Sequence, residues 1–486
     1  MEVSLDPRTP VLVGAAAASQ RADDPAATVE AATLMAEAVR AAAVDAGAPG
    51  LVDRIELVLV PEGTWGYRDP GRLLGAPAST RTVRAEIGVL QQTLLTRAAS
   101  TIAAGDADVV LVCGGEAKHR ALRSAITGVP APETEQDGVE PDEVLRPAAD
   151  VIPPVELERE LAWPVRQYAL TEHALWAASP DGPVVERRRL HELWAGFSAV
   201  AAANPSAWNR ERVTADQLAA APPLSTPYSK LHASQWNVDQ AAALLLTSVE
   251  VADRLGVPLD RRVFPLVAVE SNHMVPLTER AELHRCHAMA VAAERAAAVG
   301  AGVAPRDAAV LDLYSCFPVA VRLQCREMGI DPQRQLTVTG GMAFAGGPLN
   351  NYVLQAMVAL VDRLRDDPAA TGLSTSVSGM LTKYGLGTWS ATPPAHGFRA
   401  EDVTAEVADR TTTVAVDPSF VGDAPLVAVT VAHDAGEPTV AVALADTPAG
   451  TRAVATTTDA ATMAALLDPP PPGTVASFAG GDLHLR

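Results

Sequence analysis

A helix that stops on a glycine and runs directly into an unbroken apolar strand limits what this chain can fold into more than any other feature. Gly88 to Ala104 carries the helical pattern, Gly105 ends it, and Asp108 to Cys113 follows as a strand that leads to the turn Gly114-Gly115. Strands without a polar face belong to parallel sheets covered on both sides, because neither face can be left in water. Similar cycles flank this one. Val11 to Ala17, the helical pattern Thr28 to Gly47 and the strand Glu56 to Val60, ending at Pro61, read as β-α-β. Further on come Asp239 to Ser248, the helix Val249 to Gly256, the strand Phe264 to Glu270, the helix Glu279 to Val299, the strand Ala309 to Leu313 and the helix Val319 to Met328. A Gly-rich segment, Thr339 to Pro348, then precedes the helix Leu349 to Arg365. Two comparable β-α halves suggest an internal duplication.

Between the halves, from about His119 to Trp236, the pattern breaks into Pro-rich and acidic stretches such as Val129 to Pro154, mixed with short helices at Gln167 to Ala178 and Arg187 to Ala203. This reads as a large insertion over the sheet. After about Ala400, short strands at Thr411 to Val416, Leu426 to Ala432, Thr439 to Leu444 and Thr451 to Thr456 replace the helices, with one helix at Ala460 to Leu467 and a stiff turn at Pro469 to Pro472. A small β-rich or barrel domain, folding independently from about residue 405, is the expectation. The domain reading is therefore 1–118 with 237–258, an insertion over 119–236, a second half over 259–400, and a β-rich tail over 405–486.

Charge narrows the partners. The 38 Lys and Arg against 58 Asp and Glu leave −20 over 486 residues. Without a basic patch to release counterions, nucleic acid is excluded as a partner. Hydrophobic residues at 48% and charged residues at 20% exclude global disorder. With 7 Trp, 6 Tyr and 7 Phe, the interior must be filled by Ala, Val and Leu. Cys113, Cys286, Cys316 and Cys325 form neither a zinc pair nor a secreted disulfide framework, so a cytoplasmic location is expected. Pro10 to Ala18 lacks the basic flank of a signal peptide, and no run reaches the ~18 to 20 apolar residues of a membrane helix.

The segment Gly88 to Gly105, continued through Asp108-Val-Val-Leu-Val-Cys-Gly-Gly-Glu116, resembles the thiolase segment in which a nucleophilic cysteine opens a buried helix that leads into a strand. Arg8-Thr-Pro-Val-Leu-Val-Gly14 is similar to a thiolase start, and Asp239-Gln-Ala-Ala-Ala243 to the close of the first half. Tyr314-Ser315-Cys316-Phe317 takes the place of the Asn-Glu-Ala-Phe block, or of His-Asp-Cys-Phe in the sterol-carrier type. Gly340-Gly341 followed by Gly346-Gly347-Pro348 is similar to the family's GG-x4-GHP block. The resemblance covers about residues 8 to 395. With the β-rich tail it points to the thiolase-like proteins of type 1, often labelled acetyl-CoA acetyltransferases. It implies an α/β chain with a duplicated five-layer thiolase fold, an inserted loop domain and a small C-terminal β-rich domain. Acyltransfer on coenzyme A esters in lipid metabolism is the activity that goes with it.

The same resemblance implies that the chemistry is missing. A thiolase cysteine at the helix start is stabilised as a thiolate by the helix dipole and a nearby histidine. That cysteine aligns with Gly88, the GHP histidine with Gly347, and the second, acid/base cysteine with Lys383; no cysteine follows Cys325. Tyr314, Cys316, His273 and Tyr384 remain as candidate catalytic groups, and Gly88, Gly347, Tyr314 and Asn350 as the candidate binding set. Tyr314 reads either as a site group at a strand end or as a packed tyrosine, and His273 as a site histidine or an exposed one. Lys383 with Tyr384 reads as an acid/base pair or as a solvated lysine on a turn. Cys316 matches a cysteine that the sterol-carrier type does not use as its nucleophile. His284 and His287, three apart on one helix face, lack further ligands at metal-site spacing, so neither metal nor resident cofactor is expected.

Three functions stay open: a degenerate thiolase fold that binds coenzyme A or an acyl-CoA, an acyl-CoA aldolase or C–C lyase with tyrosine acid/base, and a non-catalytic scaffold. Thiolases pair through the strand before the nucleophile; the matching Arg81 to Glu86 is charged, which leaves monomer and homodimer both open. The ligand is expected at the shared strand ends, around Gly88, His273, Tyr314, Cys316, Gly347 and Tyr384, in a cavity enlarged by the missing side chains.

Overall fold

The computed structural model describes residues 5–300, 304–468, 470–471 and 473–485. β1 (Pro10–Gln20), α1 (Ala31–Asp45), β2 (Leu57–Pro61), β3 (Arg81–Ala85), α2 (Gln91–Ala104) and β4 (Val109–Ala117) build the first half. The chain then leaves the sheet through α3 (Lys118–Thr127), β5 (Glu143–Leu145), α4 (Pro154–Glu158), α5 (Pro164–Ala177), α6 (Gly182–Ala203), α7 (Ala215–Ala220), β6 (Pro223–Ser225) and β7 (Tyr228–Ser229). It returns as β8 (Asp239–Ser248) and α8 (Val249–Arg254). The second half comprises β9 (Phe264–Ser271), α9 (His287–Val299), β10 (Val310–Asp312), α10 (Pro318–Met328), α11 (Tyr352–Asp366), β11 (Thr371–Ser378) and β12 (Lys383–Ser390). β13 (Arg399–Asp402) and α12 (Thr404–Arg410) lead to β14 (Val421–Asp434), β15 (Glu437–Asp446), β16 (Arg452–Thr457), α13 (Ala460–Leu466), β17 (Val475–Ala479) and β18 (Asp482–Leu485).

The duplication is visible in the strand order. One sheet runs β1-β8-β4-β2-β3-β5 and the other β10-β11-β12-β9-β13. In both, a parallel pair (β2–β4, β10–β11) adjoins two antiparallel ones (β4–β8 and β8–β1, β11–β12 and β12–β9). Leu94, Leu95, Ala98 and Ile102 of α2 and Val353, Met357, Leu360 and Leu364 of α11 share one buried cluster with Leu59 and Val112 of the first sheet and Trp389 of the second. The two helices thus form a middle layer. α1 covers the first sheet from outside, and α9 and α10 cover the second, which gives five layers.

Several local expectations change. Gly114 and Gly115 are not a turn but part of β4, paired with Ala242 and Ala241. A Cβ on Gly115 would fall 2.6 Å from that of Ala241, so the glycines serve close strand approach. α9 begins only at His287, because residues before it are drawn off to other partners: Ala281 N–H donates to the Thr412 carbonyl and Arg280 bridges Thr413. His284 therefore lies outside the helix, and Thr411 to Val416 makes isolated bridges instead of a strand. β11, β13 and β18 went unread because their sequences lack an apolar run, and β17 because it is only five residues long. The ends of the proline run, Pro469 and Pro472, lie outside the described residues.

The C-terminal strands close into a barrel. β14 pairs with β15, β15 with β16, β16 with β18, β18 with β17, and β17 again with β14. With α13 between β16 and β17, this is the five-stranded Greek-key arrangement of an OB-type barrel. Ala441, Ala443 and Ala445 of β15 point inward, and Val442 and Leu444 point outward. The outward set packs with Ala428 and Val454 against Leu161, Leu170, Ala174, Leu277 and Leu283 of the insertion and second half. β6 joins the same sheet through Ser225 and Ala432. The barrel is therefore sheathed on one side by the rest of the molecule. A buried ion network fastens the insertion in turn. Arg322 of α10 pairs with Glu172 of α5 and Glu186 of α6, and Glu172 also accepts from Tyr228 Oη at 2.6 Å and Trp176 Nε1 at 2.8 Å.

Candidate functional site

Strand ends of the two halves meet on one side of the molecule. Gly88 lies after β3, and its carbonyl accepts from Ser378 Oγ, at the end of β11, at 3.1 Å and from the Lys383 ammonium at the start of β12. Asn351 Nδ2 donates to the Gly114 carbonyl at 3.0 Å, and Asn350 Nδ2 to the Glu62 carbonyl at 3.1 Å. Gln240 Nε2, at the start of β8, donates to the Ala345 carbonyl at 3.0 Å. Each bond ties one half to the other.

Gly88 does not open the helix. α2 starts at Gln91 with Leu90 at its N-cap, and Gly88 sits in the preceding turn at φ +106°. Its Cα direction is closed: an added Cβ would meet Pro147 at 3.1 Å and Val151 at 3.5 Å, both from the insertion. Gly347 is closed as well, with Met342 3.2 Å and Ser234 3.3 Å from an added Cβ. The two missing side chains have thus been filled around, not left as a larger cavity. Lys383 is 3% exposed and not solvated, and burial holds its ammonium below the usual lysine range.

β12 explains what happens to Tyr384. Gly385 faces α2, where a Cβ would meet Gln92 at 2.7 Å, and side chains alternate along a strand. Tyr384 therefore points the other way, fully buried, with its hydroxyl 3.3 Å from both Gln324 Oε1 and Met328 Sδ of α10. It is a core residue and not a member of the shared site, and no pairing of Lys383 with Tyr384 as acid and base results. Gln324 Nε2 also donates to the Tyr314 carbonyl at 2.9 Å, so the link between the tyrosines reaches the backbone of Tyr314 and not its phenol.

Tyr314 is half-buried, its ring edge-on to Tyr352 at 6.1 Å, and burial first, then the neighbouring Cys316, raises its hydroxyl far above the usual value. The Cys316 thiol is pushed up to about 12 by burial and shares a hydrogen bond with Tyr168, whose ring stacks on Phe317 at 4.5 Å. Cys286 and Cys325 are likewise pushed up to about 12, and Cys113 further still. His273 stands apart, lining a small cleft with Arg280, Cys286, His287 and Thr382; burial lowers its basicity. Sequence reasoning missed Tyr168, Ser378, Pro147 and Val151. Nothing local marks them, since each acts from a segment distant in sequence.

By sequence, no family model and no curated protein matches the chain. By structure, it aligns over 99% of its length with the whole of a monomeric SCP2-thiolase like protein type 1 (STLP1) from Mycobacterium smegmatis, at 27% identity and a TM-score of 0.81. The chain belongs to the thiolase-like superfamily. It shares the fold of the dimeric peroxisomal thiolase of Saccharomyces cerevisiae over 80% of this chain and 98% of that one, at 16% identity and a TM-score of 0.58. The Ltp2-ChsH2(DUF35) aldolase likewise shares the fold, over 80% and 99%, at 19% identity and a TM-score of 0.58. Among the described residues no three His, Cys, Asp or Glu side chains come together as a metal site, and no helix is long and apolar enough to cross a membrane.

Proposed function

We propose that this thiolase-like chain binds coenzyme A or an acyl-CoA and does not carry out acyl-cysteine chemistry, and that it works in the cytoplasm as a monomer. The observation that carries the loss of chemistry is the turn at Gly88. Its carbonyl is held by Ser378 and Lys383, the space a side chain would need is taken by Pro147 and Val151, and the four thiols are buried and held protonated. Nucleophilic catalysis needs an accessible thiolate, and nothing here supplies one. Sealing of Tyr384 leaves Tyr314 as the one tyrosine on which the acid/base lyase reading can rest.

Ligand binding is supported by charge. In a chain of net −20, a cleft of about 860 Å³ between α6 and α10 carries Arg189, Arg322, Arg326 and Arg334. Glu186 and Glu192 line it too, and Glu186 pairs with Arg189 and Arg322, whereas Arg326 bonds the His284 carbonyl and Arg334 the carbonyls of Arg306 and Ala308, with no ion pair to either among the described residues. Guanidinium groups of this kind suit the phosphates of coenzyme A. Calorimetric titration with coenzyme A, followed by turnover assays on acetoacetyl-CoA and 3-hydroxyacyl-CoA esters, tests the proposal. Saturable binding weakened in Arg326→Ala/Arg334→Ala, without turnover, is expected. No binding would leave the scaffold reading, and cleavage of a 3-hydroxyacyl ester would restore the lyase.

A further inference from the structure

A second cleft, of about 510 Å³, lies on the other side of the segment Gln335–Thr339, between α6, α11 and the end of β1. Its volume is in the range of small-molecule sites. Ala199, Ala203 and Ala359 give it an apolar wall; Gln240 and Gln355 line it beside other polar groups, among them Thr339 and the charged Asp362, Arg363 and Asp366.

Those two amides are left half-used. Gln240 is 4% exposed; its Nε2 is committed to the Ala345 carbonyl, which fixes the orientation of the amide, and its Oε1 has no hydrogen-bond partner. Asn351 Nδ2 must face the Gly114 carbonyl, and it also donates to Gln355 Oε1 at 3.2 Å. Gln355 Nε2 is then left without a partner. One buried acceptor and one buried donor therefore lie unsatisfied beside one cleft, and a buried polar group left unmet is costly. Gly346, at φ +106°, lies close against this amide, where a Cβ would land 2.1 Å from Gln240 Oε1.

We infer that this cleft binds a neutral small molecule carrying a secondary amide between apolar carbons, its N–H donated to Gln240 Oε1 and its carbonyl accepting from Gln355 Nε2. A secondary amide offers that donor and acceptor together, and the alanine wall suits methylene or methyl groups on either side. The inference does not rest on the coenzyme A reading, since it concerns another cleft and an uncharged group.

Two uncharged probes test it: pantetheine, whose arm contains such amides, and N-acetylalanine N-methylamide, the peptide-like source of the same chemistry. Binding is read by ligand-observed NMR and by crystal soaking. At least one probe should bind in the cleft, with density linking it to Gln240 and Gln355, and its affinity should fall tenfold or more in both Gln240→Leu and Ala359→Trp. Ala359 is half-buried on α11, so the tryptophan blocks the cleft without entering the core. Which probe binds identifies the source. Failure of both probes at millimolar concentration, with water alone at the two amides, would overturn the inference, as would binding unchanged in both variants. Neither result bears on the titration with coenzyme A.

Discussion

Single residues set both the chemistry and the acid sensitivity. Replacing Gly88 by Cys and Gly347 by His restores the family's residue types but not their surroundings. At φ +106° a side chain is strained, and Pro147 stands 3.1 Å from its Cβ. The double variant is expected to lose roughly 1–3 kcal/mol of stability at residue 88 alone and to gain no thiolysis, which urea unfolding and a standard thiolase assay would check. His173 and His232 give a second expectation. Burial pulls them down to about 4 and about 3 from 6.5, and the charge of His191 adds to the effect on His232. Folded values below the free one mean stability that is present above about pH 6.5 and is lost as the pH falls toward 4 and 3. His173 Nδ1 accepts the Val429 N–H of the barrel at 2.9 Å, so its protonation breaks a contact between barrel and body. Hydrogen exchange at pH 7 and pH 4.5 should show β14 deprotected first; uniform protection would contradict this.

At the scale of elements, the cover on one sheet edge supports the proposed monomer. β3 occupies the place of the strand through which thiolases pair, and here its outer edge is covered by β5, with Val83, Arg84 and Ala85 opposite Glu143, Val144 and Leu145. An edge already paired cannot take a second copy. Light scattering is expected to give the monomer mass of 50.5 kDa, and Val144→Pro to shift the population to larger species by opening the edge. A dimer of the unaltered chain would contradict the account. β5 also marks what was legible in sequence. β1, β4, β8 and the helices α1, α2, α10 and α11 are long and apolar enough to announce themselves and give the two halves, while the five layers are what the thiolase resemblance implies. β5, three residues in an acidic stretch, carries no periodicity, and its role comes only from what lies beside it. Among the candidate residues, Gly88 follows β3 and Asn350 bonds the carbonyl just after β2. Tyr384 does not join them, because Lys383 and Tyr384, read as a turn, open β12, and alternation there sends Tyr384 away from α2.

At the scale of the whole molecule, body, insertion and barrel are joined by shared apolar clusters and by the Arg322 network. Cutting the chain after residue 404 strips cover from Leu161, Leu170, Ala174, Leu277 and Leu283, so the remainder is expected to be insoluble or to bind a hydrophobic dye, and a soluble, cooperatively unfolding fragment would argue against it. The central claim is that thiolase architecture persists here without an acyl-accepting thiol. Intact-mass spectrometry of the protein after incubation with acetyl-CoA and acetoacetyl-CoA tests this most directly. An unshifted mass is predicted; a one-acetyl increment that maps to Cys113, Cys286, Cys316 or Cys325 and disappears when that cysteine is replaced by alanine would contradict it.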